Sequence, residues 1–172
     1  MSVTAFVVVV IVSFVVMEPI TAATHRWVMH GVGEWFHRSH HRPGRKPRWE
    51  RNDWFPVFFA AIVLVGLWLG FNRDGLAALV PIAIGVTSYG ACYALVHDGY
   101  IHRRIDPFGQ RRTAYLDHVA DAHRIHHLYN GAPYGMLVPV VPAELRERAA
   151  RTDRDPFAEI QNSPALPDPA EV

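Results

Sequence analysis

The sequence predicts an all-α membrane protein, about three transmembrane helices with a histidine-rich helical cap on the cytoplasmic side. Three observations carry that reading. Apolar residues are segregated into long uncharged runs, arginines crowd the segments after the first and third runs, and ten of the 11 histidines fall into spaced clusters. At 172 residues the chain is long enough for one domain and short for two. Half of it is hydrophobic and 19% is charged, and a water-soluble globule would spread those apolar residues through short periodic elements instead.

The first run, Val3 to about Ala23, is rich in Val and Ile and is interrupted only by Glu18-Pro19. Its N-terminal flank, Met1 to Phe6, lacks the positive charge of a signal peptide, so it reads as a span. Trp54 to Phe71 comes next, about 27 Å of helix at about 1.5 Å per residue. Leu76 to Val96 is the third span, with a kink expected at Pro81. Asn72 to Gly75 is a tight turn, which makes the second and third spans a hairpin.

Basic residues favour the cytoplasmic side. Arg26, Arg38, Arg42, Arg45, Lys46, Arg48 and Arg51 lie between the first two spans, and Arg103, Arg104, Arg111, Arg112 and Arg124 follow the third. The hairpin turn holds only Arg73, offset by Asp74. An outside N-terminus and a cytoplasmic C-terminus follow. Beyond the spans, Met136 to Val141 is too short to cross and packs at the interface or on the core. Ala143 to Arg151 reads as a short surface helix, and the Pro-rich residues from Asp155 read as a disordered tail. A formal charge of +1 excludes a nucleic-acid binder on charge grounds, and one cysteine, Cys92, excludes an intrachain disulfide or a thiolate metal site. Cys92 reads as small apolar packing.

The histidines repeat two spacings. His25 and His30 form HxxxxH, then His37, His40 and His41 form HxxHH; His97 and His102 repeat the first pattern, and His123, His126 and His127 the second. Residues i, i+3 and i+4 share a helical face, so each HxxHH is expected to present three imidazoles to one centre. The i, i+5 pair stands about 140° apart on an ideal helix. A π-bulge would bring its rings together; otherwise they reach different metals. If the helix survives Gly31 and Gly33, His30 and His37 act as one set. All ten lie just past a span, on the expected cytoplasmic side. Neutral imidazole suits iron, zinc, copper and nickel, and ten ligands fit two ions at about five each. There is no HExxH for a zinc protease, the count exceeds what bis-histidine haem uses, and the span centres lack a transporter's polar ligands. Glu18, Asp98, Asp117 and Asp121 are candidates to orient imidazoles through the second ring nitrogen, Asp98 foremost because it adjoins His97. His118 lies outside the pattern, although it makes another HxxxxH with His123; it reads as a surface residue, with a place beside the metals as the alternative.

Several of these stretches carry a family resemblance. His25-Arg-Trp-Val-Met-His30-Gly31, Trp35-Phe-His37-Arg-Ser39-His40-His41, Glu50-Arg-Asn52-Asp53, His97-Asp98-Gly99-Tyr-Ile-His102 and Ala122-His123-Arg-Ile-His126-His127 resemble the bacterial β-carotene 3-hydroxylases. These belong to the fatty acid hydroxylase and desaturase superfamily of membrane non-haem di-iron enzymes. The match runs from about Val3 to Leu145; Tyr100 and Ile105-Asp106 depart from the pattern close to the third cluster.

The resemblance implies a membrane-embedded di-iron hydroxylase domain over residues 1–152, followed by the Pro-rich tail, 153–172. It implies two non-haem irons held by His25, His30, His37, His40, His41, His97, His102, His123, His126 and His127. The implied reaction is O2-dependent hydroxylation of β-ionone rings at C3 and C3′, from β-carotene through β-cryptoxanthin to zeaxanthin, in the bacterial inner membrane. A fatty-acid, sterol or alkane hydroxylase or desaturase is the alternative within the superfamily, and a metal transporter the alternative outside it. No Rossmann or flavin fingerprint is present, so electrons must come from a partner, in this family a ferredoxin-type donor with its reductase. Arg103, Arg104, Arg111 and Arg112 are candidates to dock that acidic protein.

Overall fold

A computed structural model describes residues 1–44 and 46–158. Among them every regular element is helical. The first, α1, runs from Val3 to Thr24, with Ser2 as its N-cap: the Ser2 hydroxyl accepts from Ala5 N–H at 3.2 Å. It passes through Pro19 without ending and continues into a π-helical segment, His25–Val32, that breaks at Gly31. A four-residue turn of helix, α2 (Glu34–His37), follows. After the loop, a 3-10 turn at Arg51–Asp53 leads into α3, Trp54–Asn72. The fourth helix, α4 (Leu79–Ala94), also runs on as a π-helix, Leu95–Ile101. Outside the spans lie α5, Ala114–Tyr129, and α6, Ala143–Ala150. Thr113 caps the start of α5 through Leu116 N–H, and Asn130 ends it in the left-handed conformation that asparagine tolerates.

Three continuous stretches, Val3–Val32, Arg51–Asn72 and Leu79–Ile101, are long and apolar enough to cross a membrane. The side chains of α3 make the point sharply: the helix is apolar all round yet none of its residues is buried, so lipid must cover it. Helix α4 is the central span, packed against α1 on one side and α3 on the other. Its contact with α1 is close because Gly85 has no side chain; a Cβ there would collide with Val10 O and meet Ser13 Cβ at 2.7 Å.

Three sequence expectations change in detail. The α3–α4 connection extends to Ala78 rather than closing by Gly75, which adopts φ +82° within it. Pro81 falls in the first turn of α4, where its missing N–H has no helical partner to lose, so its presence requires no kink. Phe157, on the expected tail, is buried in the core with Met17, Tyr89, Val96, Ile101 and Met136. Residues 159–172, the rest of that tail, lie outside the described residues. Met136 and Leu137 are likewise core residues, while Val138 and Val140 are exposed.

Candidate metal centre

His25 and His30 sit in the π-helical segment that continues α1, and His97 sits in the one that continues α4, with His102 as its C-cap. Widening the helical hydrogen-bond register by one residue brings i and i+5 onto one face. His102 N–H bonds to His97 O at 2.9 Å, and the His97 and His102 ring centroids stand 4.6 Å apart. The His25 and His30 rings are 5.0 Å apart. Each pair therefore stays together, as the π-bulge reading anticipated. Gly31 breaks the helix, yet the turn beyond it returns His37 to within 4.7 Å of His30, ring to ring.

The HxxHH motifs behave differently from expectation. Instead of presenting three rings to one centre, each is divided. Donor nitrogens of His25, His30, His37, His41 and His126 form one group and those of His40, His97, His102 and His123 a second, all within 4.8 Å of one another in each group. On α5 helix geometry permits the division. His123 and His126, three residues apart, diverge by about 60°, enough to straddle two positions. Helix α2 ends at His37, so His40 and His41 lie on a turn that aims them apart. His127 joins neither group fully: its Nε2 is 3.0 Å from His123 Nε2, and its ring stacks on His41 at 4.4 Å. His118 is exposed on α5.

The nitrogens are arranged as ligands. His97 Nδ1 faces Asp98 Oδ1 at 2.9 Å and His40 Nδ1 faces Glu50 Oε1 at 2.7 Å. An oxygen acceptor at Nδ1 requires the hydrogen there, leaving Nε2 a bare lone pair on each neutral ring. Those two Nε2 atoms are 3.0 Å apart. The same holds for His25 and His37, whose Nδ1 atoms face Tyr134 O at 3.2 Å and Asn52 Oδ1 at 2.7 Å, and whose Nε2 atoms are 3.1 Å apart. Two lone pairs at that distance repel unless a cation lies between them. Adjacent ligands on a metal–nitrogen bond of about 2.1 Å are separated by about 3.0 Å at a right angle. The donor sets thus fit a pair of histidine-bound metal ions and are compatible with non-haem iron.

Burial keeps the rings available. It holds His37 down at about 3 and His41 at about 2, against an ordinary 6.5. His40, His102, His123, His126 and His127 are likewise pushed well below 6.5, by burial first and by neighbouring imidazoles next. These rings are neutral near pH 7, the state that coordinates a metal. Burial also raises the Glu50 carboxyl, against the pull of Lys46 and Arg104.

Of the four acids expected beside the clusters, only Asp98 touches an imidazole. Glu18 accepts the Tyr89 hydroxyl at 2.6 Å and the backbone N–H groups of Met136, Leu137 and Val138 at 2.9–3.0 Å. Asp117 accepts from Tyr100 and Arg112, and Asp121 from Arg124. Glu50 and Asn52 orient His40 and His37, roles that sequence reasoning missed although both stand in the quoted Glu50-Arg-Asn52-Asp53 stretch. Also missed were two backbone carbonyls after α5: Tyr134 O on His25, and Gly131 O, which accepts from His126 Nδ1. Arg104, expected at the surface, turns inward. Its guanidinium binds both oxygens of Asp53 at 2.7 Å and reaches Asp98 at 3.5 Å.

Comparison with known proteins agrees with this architecture. The fatty acid hydroxylase family profile matches residues 10–142. The chain belongs to that family. This hydroxylase is 38% identical over 167 residues to the beta-carotene hydroxylase of Pseudescherichia vulneris, covering 92% of this chain and 93% of the relative. It is 40% identical over 149 residues to the beta-carotene hydroxylase of Pantoea ananas, with 81% and 83% covered. The chloroplastic beta-carotene 3-hydroxylase 1 of Arabidopsis thaliana is 36% identical over 138 residues, 76% of the hydroxylase and 43% of the plant protein. No solved structure is a significant match.

Proposed function

We propose that this hydroxylase inserts oxygen at C3 and C3′ of carotenoid β-ionone rings, converting β-carotene through β-cryptoxanthin to zeaxanthin. The observation that carries the chemistry is the pair of buried histidine groups whose Nε2 lone pairs converge at about 3 Å. The substrate follows from the relatives' names and from their near-full-length match. Two irons bound there would supply the oxidant that an unactivated ring C–H requires, drawing on O2 and two external electrons per ring.

Each ring would consume O2, two electrons and two protons, and yield an alcohol and water. The nine grouped imidazoles, with His127 beside His123 and His41, would hold the metals; Asp98, Glu50, Asn52 and the carbonyls of Tyr134 and Gly131 fix the ring planes and tautomers. The polyene dissolves in the bilayer, so the exposed apolar faces of α1 and α3 let the enzyme reside where its substrate is concentrated. Burial of most of these histidines would keep bulk water from a carbon brought up to them.

The electron donor in this reading is an acidic ferredoxin-type protein served by its reductase. A polar cleft lined by Arg103, Arg111, Arg112, Arg124 and Phe157 supports docking beside the second group; Arg103, Arg112 and Arg124 are paired there with Asp106, Asp117 and Asp121, so Arg111 carries most of the charge complementarity, and the Phe157 ring lies parallel to His123 with centroids 6.1 Å apart. The distribution of basic residues supports a cytoplasmic face for this cap, in a bacterial inner membrane. Expression in a β-carotene-accumulating bacterial host tests the substrate: zeaxanthin should appear. Unchanged carotene, with iron-loaded protein at normal membrane levels, would reassign the enzyme to another lipid of the same superfamily.

A further inference from the structure

The partners behind the two histidine groups differ in charge. In the first group the Nδ1 atoms meet neutral acceptors: Asn52 Oδ1 on His37, Tyr134 O on His25 and Gly131 O on His126. In the second they meet carboxylates, Glu50 on His40 and Asp98 on His97. Each group also contains one buried Nδ1 without a partner, His41 in the first and His102 in the second, so these two do not set the groups apart. A carboxylate drawing on Nδ1–H gives the ring imidazolate character and makes Nε2 a stronger donor. A backbone or amide carbonyl does so far less. Arg104 links the two carboxylates: it is tied to Asp53 at 2.7 Å and lies 3.5 Å from Asp98 and 3.9 Å from Glu50. Its positive charge limits how much density they pass on.

We infer that the two metal positions are electronically inequivalent, with Glu50 and Asp98, moderated by Arg104, making the His40, His97, His102 and His123 position the stronger-donating and lower-potential one. The inference rests on the di-iron reading above and names which position differs and why. Glu50, Asp98 and Arg104 are positioning residues here, since none belongs to either donor group.

The test is Mössbauer spectroscopy of the full chain, loaded with 57Fe and purified in detergent, together with iron content and a reductive titration. Wild-type protein should hold two irons, show two resolved quadrupole doublets and reduce in two steps. Glu50→Gln and Asp98→Asn, which keep shape and remove charge, should both move the same doublet and raise the lower potential. Asn52→Leu, which strips the neutral acceptor from His37, should move the other doublet. Arg104→Gln should lower the potential of the His40, His97, His102 and His123 position, opposite in sign to the carboxylate variants, and Arg104→Lys should restore it. Two irons with indistinguishable doublets would overturn the inference and leave the di-iron reading standing. Glu50→Gln and Asp98→Asn moving different doublets, or both equally, would overturn it too. A chain that binds no iron would refute the underlying reading itself.

Discussion

Replacing Glu18 by glutamine should loosen the first histidine group from a distance. The carboxylate receives four donors, two on each oxygen: Met136 and Val138 N–H on Oε1, Leu137 N–H and the Tyr89 hydroxyl on Oε2. Glutamine turns one of those oxygens into an NH2. With the NH2 in place of Oε2 the Tyr89 hydroxyl rotates to accept from it, so the donor left facing another donor is the Leu137 N–H. Hydrogen bonds to a charged group contribute about 1.5–3 kcal/mol each, so the loss is at least about 1.5–3 kcal/mol. At about 2–4 °C per kcal/mol for a chain of this size, the melting temperature should fall by about 3 °C or more. The segment Glu18 holds follows directly on Gly131 and Tyr134, whose carbonyls orient His126 and His25. Metal should therefore be lost from the first group before the second. Thermal unfolding in detergent and iron stoichiometry read both effects, with Tyr89→Phe as the smaller, single-bond loss. Wild-type melting and full iron retention in Glu18→Gln would refute the reasoning.

Other outcomes follow from the same structure. Gly85→Ala drives a methyl into Val10 O and to 2.7 Å from Ser13 Cβ, so α1 and α4, each carrying an HxxxxH pair, must part by about 1 Å; product yield per membrane-localised protein should fall by about 100-fold. Gly90→Ala, with nothing within 4 Å, should leave it unchanged. Metal-free protein should lose stability in acid. The unfolded chain binds protons below the ordinary 6.5 while folded His37 and His41 resist until about 3 and about 2, so stability is full above pH 6.5 and declines as pH drops toward 3. Each such ring contributes up to about 1.4 kcal/mol per pH unit; a melting temperature flat from pH 8 to 4 would contradict this. Alanine at His40, His41, His126 or His127 should nearly abolish zeaxanthin formation in the carotene-producing host, while exposed His118→Ala should retain most of it. Near-normal product from the first four would separate the clusters from the chemistry. Finally, reporter fusions at Asn72 and after Arg151 should report opposite sides of the membrane; the same side for both would refute the α3–α4 hairpin.

Much of this protein could be read along one dimension. Long uncharged runs must be helical in a bilayer, because only a helix satisfies its own backbone there, and so α1, α3 and α4 were legible nearly to their ends. The i, i+5 spacing of His25 with His30 and His97 with His102 implied π-helix if the rings were to meet, since hydrogen-bond registers of a helix are a short list. Which ring joins which group was not legible. Splitting His37 and His41 from His40 depends on α2 stopping at His37, and splitting His126 from His123 depends on where α5 lies relative to the ends of α1 and α4. Three of the four carboxylates, all but Asp98, were misassigned for the same reason. Glu18 stands close before His25 along the chain, yet it turns away from that ring to hold a loop 118 residues further on, and Glu50 reaches His40 across a ten-residue turn. Spacing along the chain reports which side chains share a helical face, whereas the pairing of faces from different helices is settled by packing, and in this enzyme the candidate metal ligands and their supports come from at least four of them.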